Sequence, residues 1–91
     1  MIKTFNHRGL RELFEAGRTA RINRDWQARL TRQMDALDNA ARPEDMNIPG
    51  WRFHALRGRP KRYSVTVSAN WRLTFEWRAG DACRLDLEDY H

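Results

Sequence analysis

Ninety-one residues are enough for one domain around one modest core and too few for two independently folded cores, which excludes a separate regulatory domain. Seventeen Lys and Arg against twelve Asp and Glu leave a formal net charge of +5, a balance that favours polyanionic partners, with nucleic acid or a ribosome ahead of acidic proteins or membranes. The single cysteine, Cys83, excludes an internal disulfide and a cysteine-built metal site. No stretch approaches the length of a membrane span, so a soluble protein of a reducing cytoplasm is expected.

Residues 1–5 alternate Ile2 and Lys3 before reaching Phe5, a pattern that fits a short opening strand. Residues 7–16 read as an amphipathic helix: Leu10, Leu13 and Phe14 form one apolar face, Glu12 and Glu15 lie outside it, and Gly17 stands where a C-terminal cap belongs. A second helix begins at the N-cap Asn23, with Asp25 in its first turn. It carries Trp26, Leu30, Met34, Leu37 and Ala41 at helical spacing until Pro43 stops it. Arg29, Arg32, Gln33 and Asp35 are expected on its solvated face, and residues 43–49 in a loop.

Residues 52–56 look strand-like and lead into a basic segment, Arg57, Arg59, Lys61 and Arg62, that contains no acidic residue. The period then becomes two. Tyr63, Val65 and Val67 alternate with polar neighbours, and after a turn near Ala69 and Asn70 so do Trp71, Leu73, Phe75 and Trp77. Ala79, Gly80 and Asp81 supply the next turn, and Cys83, Leu85 and Leu87 continue the apolar parity, which makes Cys83 a buried residue more than a reactive one. The sum is an α+β domain over residues 1–91: a short N-terminal strand, then two helices on one face of an antiparallel sheet of three or four strands.

Basic and acidic groups are segregated, the former around residues 57–62 and the latter in Asp81, Asp86, Glu88 and Asp89. Fifteen of the seventeen basic residues are Arg, whose planar fork suits phosphate oxygens and whose face stacks on bases, although an Arg-rich codon usage gives the same composition. Of the three histidines, His7 opens the first helix and reads as structural. His54 adjoins the basic segment, and His91 follows Asp89 and Tyr90. Cleavage of RNA needs a base for the 2′-hydroxyl proton, an acid for the 5′-oxygen leaving group and cations for the charge on phosphorus, and imidazole serves either proton-transfer role near neutral pH. His54, Asp89 and His91 are also a conceivable metal set, but no short paired-ligand spacing supports it, and neither metal nor cofactor is expected.

Taken together, Met1-Ile2-Lys3-Thr4-Phe5, Phe14-Glu15-Ala16-Gly17, His54-Ala55-Leu56-Arg57-Gly58, Asn70-Trp71-Arg72-Leu73-Thr74-Phe75 and Glu88-Asp89-Tyr90-His91 resemble HigB-type toxins of the RelE/ParE superfamily, in order and over nearly the whole chain. The resemblance implies a RelE-like fold and a toxin of a type II toxin–antitoxin system. It also implies a ribosome-dependent endoribonuclease, an mRNA interferase that cleaves mRNA in the 30S A site by 2′-hydroxyl attack without metal. By motif position His54 and His91 would be the acid–base pair, Asp89 and Tyr90 would orient and polarise the reacting groups, and Arg72 would sit over the scissile phosphate. Arg57 would contact RNA, with Arg59, Lys61 and Arg62 adding charge. The implied partners are a HigA-type helix-turn-helix antitoxin, the ribosome and mRNA. Two departures bear on codon preference: Ser68 stands where several relatives carry a basic residue, and Arg59-Pro60-Lys61-Arg62 is one residue shorter than in some. A ParE-like gyrase-targeting toxin shares the fold without the terminal cluster, and a non-catalytic nucleic-acid-binding module would leave His54 and His91 without roles.

Overall fold

The computed structural model describes residues 1–90; His91 lies outside them. The elements run α1 (Arg8–Ala16), α2 (Arg24–Asn39), a single 3-10 turn (Pro43–Met46), then β1 (His54–Leu56), β2 (Arg62–Ser68), β3 (Trp71–Arg78) and β4 (Asp81–Asp89). The four strands form one antiparallel sheet in sequence order.

The helices begin and end where the side chains satisfy their free backbone groups. His7 caps α1 by accepting the Leu10 N–H on Nδ1, and Gly17 closes it in the left-handed conformation that a residue without Cβ adopts at no steric cost. Asn23 caps α2 by accepting from the Asp25 N–H at 2.9 Å. The β3–β4 hairpin turns through Ala79 and Gly80, both at positive φ, the backbone twist that suits a two-residue connection.

Register separates the two faces of the sheet. Tyr63 lies opposite Phe75, and Val65 opposite Leu73, which in turn faces Leu87. These share one core with Leu10 and Leu13 of α1 and with Leu30, Met34 and Leu37 of α2. Fully burying each such side chain contributes roughly 1.5–3 kcal/mol, so this apolar parity fixes which face meets the helices. Trp26 packs at a tilt against Trp71 with ring centroids 5.4 Å apart, so both indoles, and Trp77 on the parity of Trp71, belong to the core side.

The opening residues bridge β4 in parallel at only two points, Ile2 to Ala82 and Phe5 to Leu85. The ladder is not continuous because β4 bulges between them. Two residues of β4 stand against Phe75, Arg84 takes a φ of 54°, and its N–H donates to the Thr4 hydroxyl in place of a carbonyl. Ile2 is tied down further by its N–H donating to Asp38 of α2.

Three expectations about α2 and the segment after it need correction. Ala41 is exposed and outside α2, which ends at Asn39. Residues 43–49 are not wholly loop, because Pro43 and Met46 are buried and wind a 3-10 turn under α2. Gln33 is fully buried on a face expected to be solvated: its Nε2 donates to the Thr66 carbonyl, which also accepts from Arg29 Nε. The register slips between Thr66 and Ser68, so this carbonyl is available to the helix.

Candidate active site

The residues between the apolar positions point to the other face of the sheet, away from the helices. Three cross-strand rows result: Arg62 with Glu76 and Cys83, His54 with Ser64, Thr74 and Asp86, and Thr66 with Arg72 and Glu88. Tyr90 continues the parity of Glu88, its N–H held by the Asn70 carbonyl at 2.8 Å. A basic and carboxylate-bearing surface is thus laid on a rigid sheet, the kind of support that holds reacting groups in fixed geometry.

Arg72 is at its centre. Its Cζ lies 5.6 Å from the centroid of the Tyr90 ring, and its Nη1 reaches the Ser64 hydroxyl at 3.5 Å. Its Nε is buried and has no partner among the described residues. The guanidinium offers five N–H donors, most of them unspent here, and the aromatic face behind it restricts where it can go. This is a fixed cation with donors in hand, the arrangement that stabilises a charge developing on phosphorus.

Beside it Arg62 donates through Nη1 to Glu88 at 2.5 Å and through Nη2 to the Tyr90 hydroxyl at 3.0 Å. The bond to Glu88 holds the guanidinium proton more firmly than usual in spite of partial burial. Thr74 donates its hydroxyl proton to the same carboxylate oxygen. Arg62 is therefore the first residue of β2 and internally engaged, whereas Arg57, Arg59 and Lys61 are exposed in the β1–β2 loop.

His54 is exposed on β1, on the parity of Ser64. Its Nδ1 lies 2.7 Å from the Phe53 carbonyl, and since a carbonyl only accepts, Nδ1 carries the proton. In the neutral ring Nε2 is then the nitrogen left to take one. Asp89 lies opposite Trp71, on the parity contrary to Glu88 and Tyr90, and is exposed. His91 falls outside the described residues. Among those described, no group of three or more His, Cys, Asp and Glu could hold a metal ion; the His54, Asp89 and His91 set extends beyond them. Cys83 does not continue the apolar parity of Leu85 and Leu87 as expected: the bulge in β4 shifts it opposite Glu76 on the polar face and buries Ala82 in its stead. Cys83 is therefore half-buried, and burial pushes its thiol up, away from the reactive thiolate.

The structure thus brings Arg72, Tyr90 and Arg62 into one cluster and puts His54 on the same face. Ser64, Thr74 and Glu88 belong to this cluster but were not singled out from the sequence. Glu88 carried a usable signal, since it shares the strand parity of Tyr90 and lies two residues from it. Ser64 and Thr74 carried none, because a small hydroxyl in a strand is ordinary.

The family of HigB-like toxins, described as the RelE-like toxin of the type II toxin–antitoxin system HigB, matches residues 3–91. Among individual proteins, the chain is 41% identical over 92 residues to endoribonuclease HigB of Proteus vulgaris, with all of both chains covered.

Proposed function

The chain belongs to the HigB-like family of RelE-like toxins of type II toxin–antitoxin systems, and from that premise we propose that it is a metal-independent endoribonuclease that cleaves mRNA on the ribosome. The relative's name as an endoribonuclease supports the reaction class. The observation that carries the reading is the Arg72 guanidinium, set over Tyr90 on the polar face of the sheet and without a carboxylate partner among the described residues.

In this reading the 2′-hydroxyl attacks the adjacent phosphorus, its proton goes to a base, the bond from phosphorus to the 5′-oxygen breaks, and an acid protonates that oxygen. The products are a 2′,3′-cyclic phosphate and a 5′-hydroxyl. His54 and His91 are the two proton carriers, Tyr90 orients the groups that react, Arg72 meets the charge on the phosphoryl oxygens, and Asp89, on the contrary strand parity, acts on them only through its neighbours in the chain. Arg57, Arg59 and Lys61 grip phosphates. The site is laid on one open face of a four-stranded sheet, a support that suits a substrate held in place by the ribosomal A site. A helix-turn-helix antitoxin of HigA type, acting in the cytoplasm, completes the system; no described helix is long and apolar enough to cross a membrane.

The test is to compare cleavage of one mRNA free and on programmed ribosomes. Codon-phased cuts that need the ribosome are expected. Equal rates on free RNA would overturn ribosome dependence, and inhibition of gyrase without any RNA cleavage would overturn the ribonuclease.

A further inference from the structure

Glu88 shares the face of Arg72 and Tyr90, yet no step of the proposed reaction uses it. Its Oε2 accepts from two donors at once, Arg62 Nη1 at 2.5 Å and the Thr74 hydroxyl. Thr74 lies in the middle of the sheet and is all but fully buried, so the carboxylate is anchored from below as well as from the side. The other arm of the same guanidinium, Nη2, donates to the Tyr90 hydroxyl at 3.0 Å. A guanidinium is a rigid planar fork, so a partner that fixes one arm fixes the direction of the other. A phenol has one proton to donate. With a cation donating into its oxygen, Tyr90 turns that proton away from Arg62, and no acceptor among the described residues takes it.

We infer that Glu88 is a positioning residue: it holds Arg62 so that Arg62 sets the direction in which Tyr90 presents its hydroxyl proton to the RNA. Arg62 is then part of the internal machinery and not one of the cations that grip substrate. The inference rests on the proposed role of Tyr90 in the reaction.

The experiment compares wild type with Glu88→Ala, Glu88→Gln, Tyr90→Phe and the Glu88→Ala/Tyr90→Phe double variant, on whichever RNA substrate the wild type cuts, free or on ribosomes. Glu88→Ala is expected to lower kcat about tenfold with KM changed by less than about twofold, and the double variant to be no slower than Tyr90→Phe alone, as for residues acting through one contact. Glu88→Gln keeps the shape and one oxygen for Arg62 and recovers part of the loss, which also guards against a misfolded alanine variant. An unchanged kcat in Glu88→Ala, or additive effects in the double variant, would overturn the inference. A second measurement needs no substrate: rotation about the Arg62 Cζ–Nε bond, followed by NMR of its guanidinium protons, is expected to be slow in the wild type and fast in Glu88→Ala. Slow rotation retained in Glu88→Ala overturns the inference even where the ribonuclease reading stands, and loss of that slow rotation supports the Glu88 clamp even where ribosome dependence fails.

Discussion

Arg72 and His91 are assigned different work at one phosphate, and their variants separate the two. In the proposed reaction Arg72→Ala removes a fixed cation from the place where negative charge develops, so single-turnover cleavage is expected to fall about a hundredfold or more, roughly 3 kcal/mol, as for other transition-state donors. Arg72→Lys keeps the charge without the fork and recovers part of it. His91→Ala is expected to slow the chemical step while co-sedimentation with ribosomes stays near wild type, because one terminal imidazole adds little to an interface held by several Arg. Cleavage at the wild-type rate would remove His91 from the mechanism. Arg72 and His91 were singled out only through the resemblance that Asn70-Trp71-Arg72 and Asp89-Tyr90-His91 carry; composition and spacing alone gave them no role. Glu88 and Arg62 were not legible as a pair. Their contact spans 26 positions and depends on two antiparallel registers, each with its own irregularity. Local spacing says nothing about such a contact.

Helices and strands were readable from period and caps, since Asn23, Gly17 and the alternation of residues 71–77 act on their own neighbours. What escaped is where one element borrows a polar group from another. Gln33 looks like a solvated helix residue until the bulge at residues 66–68 offers its carbonyl to α2. Gln33→Ala leaves a cavity and takes one of the two side-chain donors from that carbonyl, so a loss of about 1–3 kcal/mol in denaturant unfolding is expected, far above an exposed substitution such as Arg32→Ala. Glu12 gives a pH-dependent counterpart. The Thr19 hydroxyl bond, then Arg21 and Arg8, hold its carboxyl below the ordinary value of 4.5. A carboxyl depressed in the folded state binds fewer protons there than when unfolded. Its contribution is therefore present above about 4.5 and lost as pH falls through the folded value. The melting temperature of Glu12→Gln is expected to fall less steeply than that of wild type as the solution is acidified below that point; parallel curves would show that the network does not act on stability.

At the scale of the molecule, the alternation that buries Val65, Leu73 and Phe75 against the helices also sends Arg62, Ser64, Arg72 and Glu88 to the opposite face, so core and site are two sides of one pattern. The excess positive charge is then distributed unevenly in its effect. Arg62 is neutralised by Glu88, whereas Arg57, Arg59 and Lys61 are exposed in the β1–β2 loop, among the described residues without a carboxylate partner. Phosphate contacts release counterions, and each lowers the slope of log affinity against log salt by about 0.7–0.9. Neutralising the three loop cations together as Arg57→Gln, Arg59→Gln and Lys61→Gln is expected to flatten that slope by about 2, if each meets one phosphate, while kcat at saturating substrate stays close to wild type. Arg62→Gln is expected to do the reverse, leaving the slope nearly unchanged and lowering kcat, because its charge is already spent within the fold. Salt titrations of ribosome or RNA binding on both variants, run beside single-turnover cleavage, measure the two effects separately. A slope that falls for Arg62→Gln and holds for the loop variant would place the substrate grip on the sheet and not in the loop.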